Sequence, residues 1–371
     1  MALSPGIPHV LPKPHAEAGW AISQNISVLT DAELLYQAVR GSRAKAKFVG
    51  ITGTNGKSTT TALLAHILNV AGIPNAAGAN LGPAALSLPL LPDSGVYVLE
   101  MSSYMLERIA SLRFDVAAML NLSPDHLDRH GDMAGYAQAK RQIFARQDES
   151  CLAVIGMDDP ESRKMAAWPE TLPALVVRIS GKDFRTAGAK ALPGEHNAQN
   201  AFAASEMARA LGVTQAAIAE GIATYPGLPH RQAEIATIGG VSFIDDSKAT
   251  NADAAARAMG CYEHFIWIAG GVAKAGGAES LAPLFSRVTK AFLIGQDAER
   301  FAETLKLHGV ANDVVGTLEA AVPAAYAEAR RSRIATVLLS PAAASFDQFK
   351  SFEHRGEVFA ELVNALHGEA A

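Results

Sequence analysis

The chain has 371 residues, enough for two or three domains. Hydrophobic residues make up 49% and charged residues 19%, the balance of a packed soluble chain, and a net charge of −5 gives nucleic acid no electrostatic handle. Cys151 and Cys261 match no metal or redox spacing and read as buried thiols. With no signal-peptide pattern and no apolar run of membrane-spanning length, the expectation is a cytoplasmic protein without a membrane partner.

Residues 1–45 hold a short strand-like start, Ala2–Pro8, a polar stretch and a helix near Asp31–Val39, too little to close a domain alone. From Lys47 onward strands and helices alternate. The pattern predicts strands over Phe48–Thr52, Val96–Glu100, Val116–Leu120 and Leu152–Ile155, and helices over Lys57–Ala71, Met133–Ala145, Asn197–Leu211 and Thr214–Thr224. Such alternation implies a largely parallel sheet with helices on both faces. Pro226–Arg231 reads as a hinge, because two prolines and a glycine stop the preceding helix. A second series follows, with strands over Val241–Ile244, Phe265–Ala269, Ala291–Ile294, Asp313–Val315 and Thr336–Leu339. The expected architecture is α/β: a central P-loop ATPase-type domain over 46–227 and a C-terminal Rossmann-like domain over 228–371.

The most informative segment is Gly53-Thr54-Asn55-Gly56-Lys57-Ser58-Thr59, between a β-prone run and a helical pattern. Glycines let backbone N–H groups turn toward a phosphate, and the helix beginning near Lys57 points its positive end there. Lys57 can neutralise terminal phosphate charge, and Ser58 can bind the accompanying Mg²⁺. The loop is shorter than the general phosphate-loop pattern: Ile51 stands where the first glycine would be, and Gly53 is three residues before Gly56. This argues against ordinary GTPases and ABC-type ATPases.

Other polar groups gather at predicted strand ends, where α/β sheets bind ligands. Glu100 ends Val96–Glu100 and is a Mg²⁺ ligand, a helix N-cap or a surface acid. Asp125-His126-Leu127-Asp128 follows Val116–Leu120, so His126 is a metal-site residue or a capping or core residue, while His130 reads as a surface residue. Lys140, by pattern alone, lies on a solvated helix face. Asn197 and Asn200, three apart on one helix, could read a nucleobase edge or simply cap. Asp245–Asn251, Gly270–Lys274 and Ser340–Phe349 follow three strands of the last sheet and suggest one donor-rich cleft for a small carboxylated substrate.

Taken together, these motifs resemble the Mur ligase family, ATP-dependent amide-forming enzymes of peptidoglycan precursor synthesis. The resemblance rests on Leu3-Ser4-Pro5-Gly6-Ile7, Gly53–Ser58, Gly78-Ala79-Asn80-Leu81-Gly82, Leu99–Ser103, Asp125–Asp128, Leu228–Arg231, Asp246–Asn251 and Leu339–Phe352, and so runs over almost the whole chain. The last two motifs are similar to those of the D-glutamate-adding branch. The resemblance implies that Gly53–Thr59 hold ATP. It implies that Ser58, Glu100, His126 and a carbamylated Lys140 hold Mg²⁺, with two ions expected. It assigns Asn197, Asn200, Arg231 and Asp246 to the nucleotide, and places Lys248 by the transferred phosphate and acyl group. Thr250, Lys274, Ser345 and Phe352 would receive D-glutamate, and Asn80 would lie near the acyl substrate, UDP-N-acetylmuramoyl-L-alanine. A monomer is expected, with the last domain swinging about the hinge to deliver the amine.

Residues 1–45 match only the closing piece of the UDP-binding domain that begins other family members. Val272-Ala273-Lys274 lacks the acidic or glycine residues usual before that lysine, and Gly156–Pro193 is compact. Two alternatives stand beside the ligase reading: a nucleotide-binding protein without ligase activity, and a folylpolyglutamate-type ligase, which shares the shortened loop.

Overall fold

The computed structural model describes residues 1–4, 6–166, 174–186, 188–274 and 276–369. It divides into two compact units, Met1–Pro226 and Gly227–Ala371. Among the described residues no helix is long and apolar enough to cross a membrane.

The first unit is built on six strands: β1 Lys47–Thr52, β2 Asn75–Ala79, β3 Val96–Glu100, β4 Val116–Met119, β5 Leu152–Gly156 and β6 Leu175–Ile179. They lie in the order β2-β3-β1-β4-β5-β6, all parallel. The inner strands are buried on both faces, as a helix-covered parallel sheet requires. On one face Leu63, Leu64 and Ile67 of the helix Lys57–Val70 pack with Met207, Ile218 and Ile222 against Val49 and Ile51; on the other, Leu35, Val39 and Tyr136 pack against Phe48. The register pairs Ile51 with Glu100. This sets the turn after β1 beside the carboxylate that ends β3.

The N-terminal segment is tied to this unit by two buried charges. The Glu33 carboxylate accepts from the N–H groups of Ala110, Ser111 and Leu112, each at 2.9 Å, and from Gln37 Nε2. Burial pushes its carboxyl up, but a bond from the Ser111 hydroxyl, with those from the Leu112 and Ala110 N–H groups and Gln37, outweighs it and holds Glu33 below the usual range. Arg108 donates to the carbonyls of Leu3, Ser4 and Ile7. The strand expected over Ala2–Pro8 is reduced to a single parallel bridge, Ala2 to Leu29, with Pro5 outside the described residues. Arg108 takes up the carbonyls that a strand partner would otherwise bond.

The second unit holds β7 Ala233–Ile238, β8 Val241–Asp245, β9 Phe265–Gly270, β10 Val288–Ile294, β11 Asn312–Gly316 and β12 Thr336–Leu339. Their order is β11-β10-β9-β12-β8-β7, parallel except for the edge strand β7. Trp267 is fully buried in this sheet, and its indole N–H donates to the Ser340 carbonyl.

Three strands escape the sequence pattern for local reasons. β2 reads Asn-Ala-Ala-Gly-Ala, which carries no β-branched or aromatic residue. β6 and β7 are edge strands with several solvent-facing positions, so neither shows the continuous apolar run of a buried strand. Part of the segment Gly156–Pro193, residues 167–173 and 187, lies outside the described residues.

Candidate functional site

In the first unit the turn after β1 is stabilised from several directions. Gly56 caps the helix Lys57–Val70 with φ of 83°, and a Cβ there would come within 2.3 Å of Asn200 Oδ1. Glycine is therefore required twice, for the left-handed backbone and for the close approach. Lys57 Nζ donates to the carbonyls of Gly53 at 3.0 Å and Thr54 at 2.8 Å. Ser58 is buried and Thr59 half-buried in the first helical turn. Asn121, which follows β4, bonds the main chain of Thr54 and Asn55. Thr54 and Ser123 exchange two bonds: the Thr54 hydroxyl donates to the Ser123 carbonyl and accepts from its N–H.

Lys140 is not on a solvated face. It is 1% exposed, and its Nζ donates to the Gly53 carbonyl at 2.8 Å and to Thr52 Oγ1 at 3.4 Å, 4.7 Å from the Tyr136 ring centre. The helix Met133–Arg141 packs through Tyr136 and Ala139 and carries Lys140 inward under the loop. Burial pushes the Lys140 ammonium well below the usual lysine range. The charge of Lys57 pushes the same way, and Asp125 and Glu100 oppose it.

Glu100 is 2% exposed. Its Oε1 accepts from Asn80 Nδ2 at 2.6 Å, and the Asn80 N–H donates to the Glu100 carbonyl at 3.1 Å. Its Oε2 is buried without a hydrogen-bond partner. A buried, unsatisfied carboxylate oxygen is costly, and a hard cation would satisfy it. Among the described residues no three His, Cys, Asp or Glu side chains converge on one point. Mg²⁺ needs no such cage, because it takes one or two protein oxygens and completes its shell with phosphate and water. Glu100 and the Ser58 hydroxyl fit that donor set.

His126 has a side chain 43% exposed and a left-handed backbone, φ 53°. It lies at the rim, its ring 5.0 Å from that of Tyr104 and 6.4 Å from that of Tyr136, whose hydroxyl is 3.3 Å from Thr54 Oγ1. His130 is not a surface residue. Its side chain is 1% exposed, with Nδ1 3.0 Å from Glu107 Oε1 and Nε2 2.9 Å from Ser103 Oγ. The helix Leu127–His130 turns it inward to stack on Tyr104.

Asn197 and Asn200 share one face of the helix Glu195–Ala210. Asn200 Nδ2 donates to Asn197 Oδ1 at 3.1 Å, and Asn197 Nδ2 to the Pro193 carbonyl at 2.8 Å.

In the second unit the loops after β8, β9 and β12 meet. Val272 and Ala344 form an antiparallel bridge. Asp246 is buried, accepts from Ser340 Oγ at 2.7 Å, and has its carboxyl pushed up to about 7 by burial. Lys248 Nζ stands 3.7 Å from the centre of the Phe352 ring. Thr250 folds back onto the Lys248 carbonyl; Ser345 is buried; Lys274 is exposed on the loop after β9. Arg231 acts electrostatically on Asp246 and opposes its shift. His230 Nδ1 lies 2.7 Å from Asp245 Oδ2, and a Cβ on Gly356 would approach it to 2.0 Å, so glycine alone fits there. Arg355, fully buried, donates Nε to Ser247 Oγ and its terminal nitrogens to the Ser247 and Ala343 carbonyls, fastening β8's loop to β12's.

The Mur ligase middle domain family matches residues 51–190. The UDP-N-acetylmuramoylalanine–D-glutamate ligase of Paramagnetospirillum magneticum is 49% identical, over 98% of this chain and 83% of that protein. The chain belongs to the Mur ligase family. The enzyme of the same name from a Caulobacter strain is 45% identical over the whole of this chain and 85% of its own length. Among solved structures, the MurF ligase of Thermotoga maritima in complex with ADP superposes with a TM-score of 0.65 at 17% identity, over 94% of this chain and 92% of that one.

For a Mur ligase, the first unit thus gathers Gly53–Thr59, Glu100, Asn80, Lys140 and Asn200 at one edge of its sheet, with His126 at the rim. The second sets Lys248 against Phe352, joins Ser247 to the Phe352 carbonyl, and ties the loop of Asp246 and Lys248 to the Ala343–Ser345 loop through Arg355. Asn121, Tyr136 and Arg355 were missed in the sequence. Only the amide's place just beyond a predicted strand hinted at Asn121, and nothing local marked Arg355.

Proposed function

We propose that this chain is an ATP-dependent ligase that joins D-glutamate to UDP-N-acetylmuramoyl-L-alanine in peptidoglycan precursor synthesis. The observation that carries the reading is the buried Lys140 beneath the phosphate loop, with the half-satisfied carboxylate of Glu100 beside it. The names of relatives 45–49% identical over nearly the whole chain support the choice of substrates.

A carboxylate is a poor electrophile. Transfer of the terminal phosphoryl group of ATP to the acyl substrate gives an acyl phosphate and ADP. The amine of D-glutamate then attacks the carbonyl, a tetrahedral intermediate collapses, phosphate leaves and an amide remains. Gly53–Thr59 cradle the triphosphate, and Lys57 leaves its loop carbonyls to meet the terminal phosphate. Glu100 and Ser58, with His126 at the rim, would hold Mg²⁺, which would supply positive charge against that developing on the phosphate oxygens. Asn80 fixes the Glu100 carboxylate and faces the acyl substrate. Lys140, its proton affinity lowered by burial, is suited to lose its proton and react as a neutral amine with CO₂; the N–C bond forms, a second proton passes to solvent, and the carbamate would place an anion able to support a second ion where an ammonium stood.

In the first unit, Asn197 and Asn200 are assigned to the nucleotide; in the second, Asp246 is assigned to the ribose, with Arg231 beside it. Lys248 attends the transferred phosphate. Thr250, Lys274, Ser345 and Phe352 bind D-glutamate, a small dicarboxylate suited to cations and hydroxyls. Residues 1–45 are assigned to the closing part of a UDP-binding region, residues 46–227 to ATP and residues 228–371 to the amino acid. We place the reaction in the cytoplasm and read the enzyme as a monomer.

The test is a matrix of ADP-release assays with ATP and Mg²⁺. UDP-N-acetylmuramoyl-L-alanine, its nucleotide-free fragment, D-glutamate and L-glutamate are each added and omitted. ADP that appears only with acyl substrate and D-glutamate together is expected. ADP formation dependent on a folate, or none with any acceptor, would overturn the reading.

A further inference from the structure

The ladder between β4 and β1 ends where the Leu120 N–H bonds the Thr52 carbonyl at 3.0 Å. The next rungs do not come from a strand. The Asn121 carbonyl accepts from the Thr54 N–H at 3.0 Å. The Asn121 side chain then bonds Asn55 twice, with Oδ1 accepting from its N–H at 2.8 Å and Nδ2 donating to its carbonyl at 2.9 Å. A primary amide carries the same donor and acceptor as a peptide group, so the side chain acts as one more rung. Asn121 is buried, so no water competes for these bonds. Ser123 grips the neighbouring residue through the Thr54 hydroxyl. The loop runs so close to this strand end that a Cβ on Gly53 would lie 3.1 Å from Leu120 Cβ and 3.3 Å from the Asn121 nitrogen.

We propose that Asn121 is a positioning residue that holds the shortened phosphate loop in its nucleotide-binding shape. A longer loop can close on its own backbone; this one is closed from the adjacent strand. The N–H groups of Thr54 and Asn55 are committed to Asn121, so the part of the loop that turns its amides on phosphate begins at Gly56. Asn121 touches no reacting atom and acts through Asn55. The proposal rests on the assignment of Gly53–Thr59 to ATP.

The test compares Asn121→Ala and the near-isosteric Asn121→Asp with the unaltered enzyme. Aspartate keeps an acceptor for the Asn55 N–H but loses the donor and sets a carboxylate against the Asn55 carbonyl. Both are expected to raise KM for ATP about tenfold or more while KM for D-glutamate stays within about twofold, tenfold being about 1.4 kcal/mol. Hydrogen exchange of the nucleotide-free protein is expected to quicken over residues 53–56 and not in β1 or β4. That readout needs no turnover, so it separates failure of this clamp from failure of the ligase assignment. An unchanged KM for ATP, equal rises in both KM values, or exchange quickened throughout the sheet would overturn the proposal. Failure of both variants to fold would do so as well, since it would assign Asn121 to the sheet core.

Discussion

Replacing Lys140 with methionine should make the nucleotide-free protein more stable and inactive. The bonds that Lys140 makes can be removed without stranding their acceptors: the Gly53 carbonyl keeps Lys57 Nζ at 3.0 Å, and Thr52 Oγ1 still donates to the Met101 carbonyl at 2.8 Å. The loss is therefore two ordinary hydrogen bonds, roughly 0.5–1.5 kcal/mol each. Against it stands relief from a buried charge, where apolar replacement is often neutral or stabilising by about 1–4 kcal/mol. Methionine fills a similar volume. At the middle of these ranges, a loss of about 2 kcal/mol against a relief of about 2.5 leaves a net gain of about 0.5 kcal/mol, which raises the melting midpoint of a unit this size by roughly 1–2 °C. The pH dependence has a definite sign. The folded ammonium is pushed below its unfolded value, so the unfolded chain binds more protons between the two. Stability of the unaltered protein rises with pH through that window, and the methionine variant's advantage shrinks as pH approaches the ordinary lysine value. Urea unfolding across pH, with ligation assayed in parallel, measures both. A variant destabilised by more than about 1 kcal/mol would refute the reasoning, as would one that retains turnover.

Lys57→Ala should leave the fold intact and lower kcat by about a thousandfold or more, since it removes charge stabilisation at the transferred phosphate; circular dichroism and ADP release check this. Glu33→Ala strands three backbone N–H groups at about 1–3 kcal/mol each and should cost about 3 kcal/mol or more in denaturant unfolding, with Glu33→Gln losing less. Asp246→Asn should stabilise the second unit near neutral pH. The folded carboxyl, pushed up to about 7, makes ionisation costly as pH rises from the unfolded value of 3.8 toward 7. The melting difference between variant and parent should therefore be near zero at pH 4 and grow toward pH 7; a flat difference would contradict the burial argument. Mass spectrometry of the intact protein in bicarbonate should show Lys140 heavier by one CO₂, and a fully active sample with an unmodified lysine would exclude the carbamate.

The parts of the site legible in the sequence are those whose signal is local. Gly53, Gly56 and Lys57 announce a phosphate turn by spacing alone, and Glu100 is marked by the apolar run before it. Loops after β8, β9 and β12 could be grouped because a parallel sheet sends its strand ends to one edge. Lys140 and His130 could not be placed this way. Their exposure is decided by which helix face meets the sheet, and a lysine or histidine on a short helix carries no sign of that. Asn121 and Arg355 were illegible for a related reason: each serves main-chain groups far away in sequence, and backbone carbonyls and amides leave no trace in residue identity. β2 was missed because its alanines and glycine let neighbouring layers approach but show no strand preference.

Lys57 occupies a rest position on the carbonyls of Gly53 and Thr54. On the role proposed for Lys57, an arriving triphosphate would draw the ammonium away from them, so its contact with this lysine would be an exchange of partners. The affinity won there is the difference between a charged phosphate and two neutral acceptors. The arrangement also means that the cation does not stand bare without a nucleotide: the loop's own oxygens hold it.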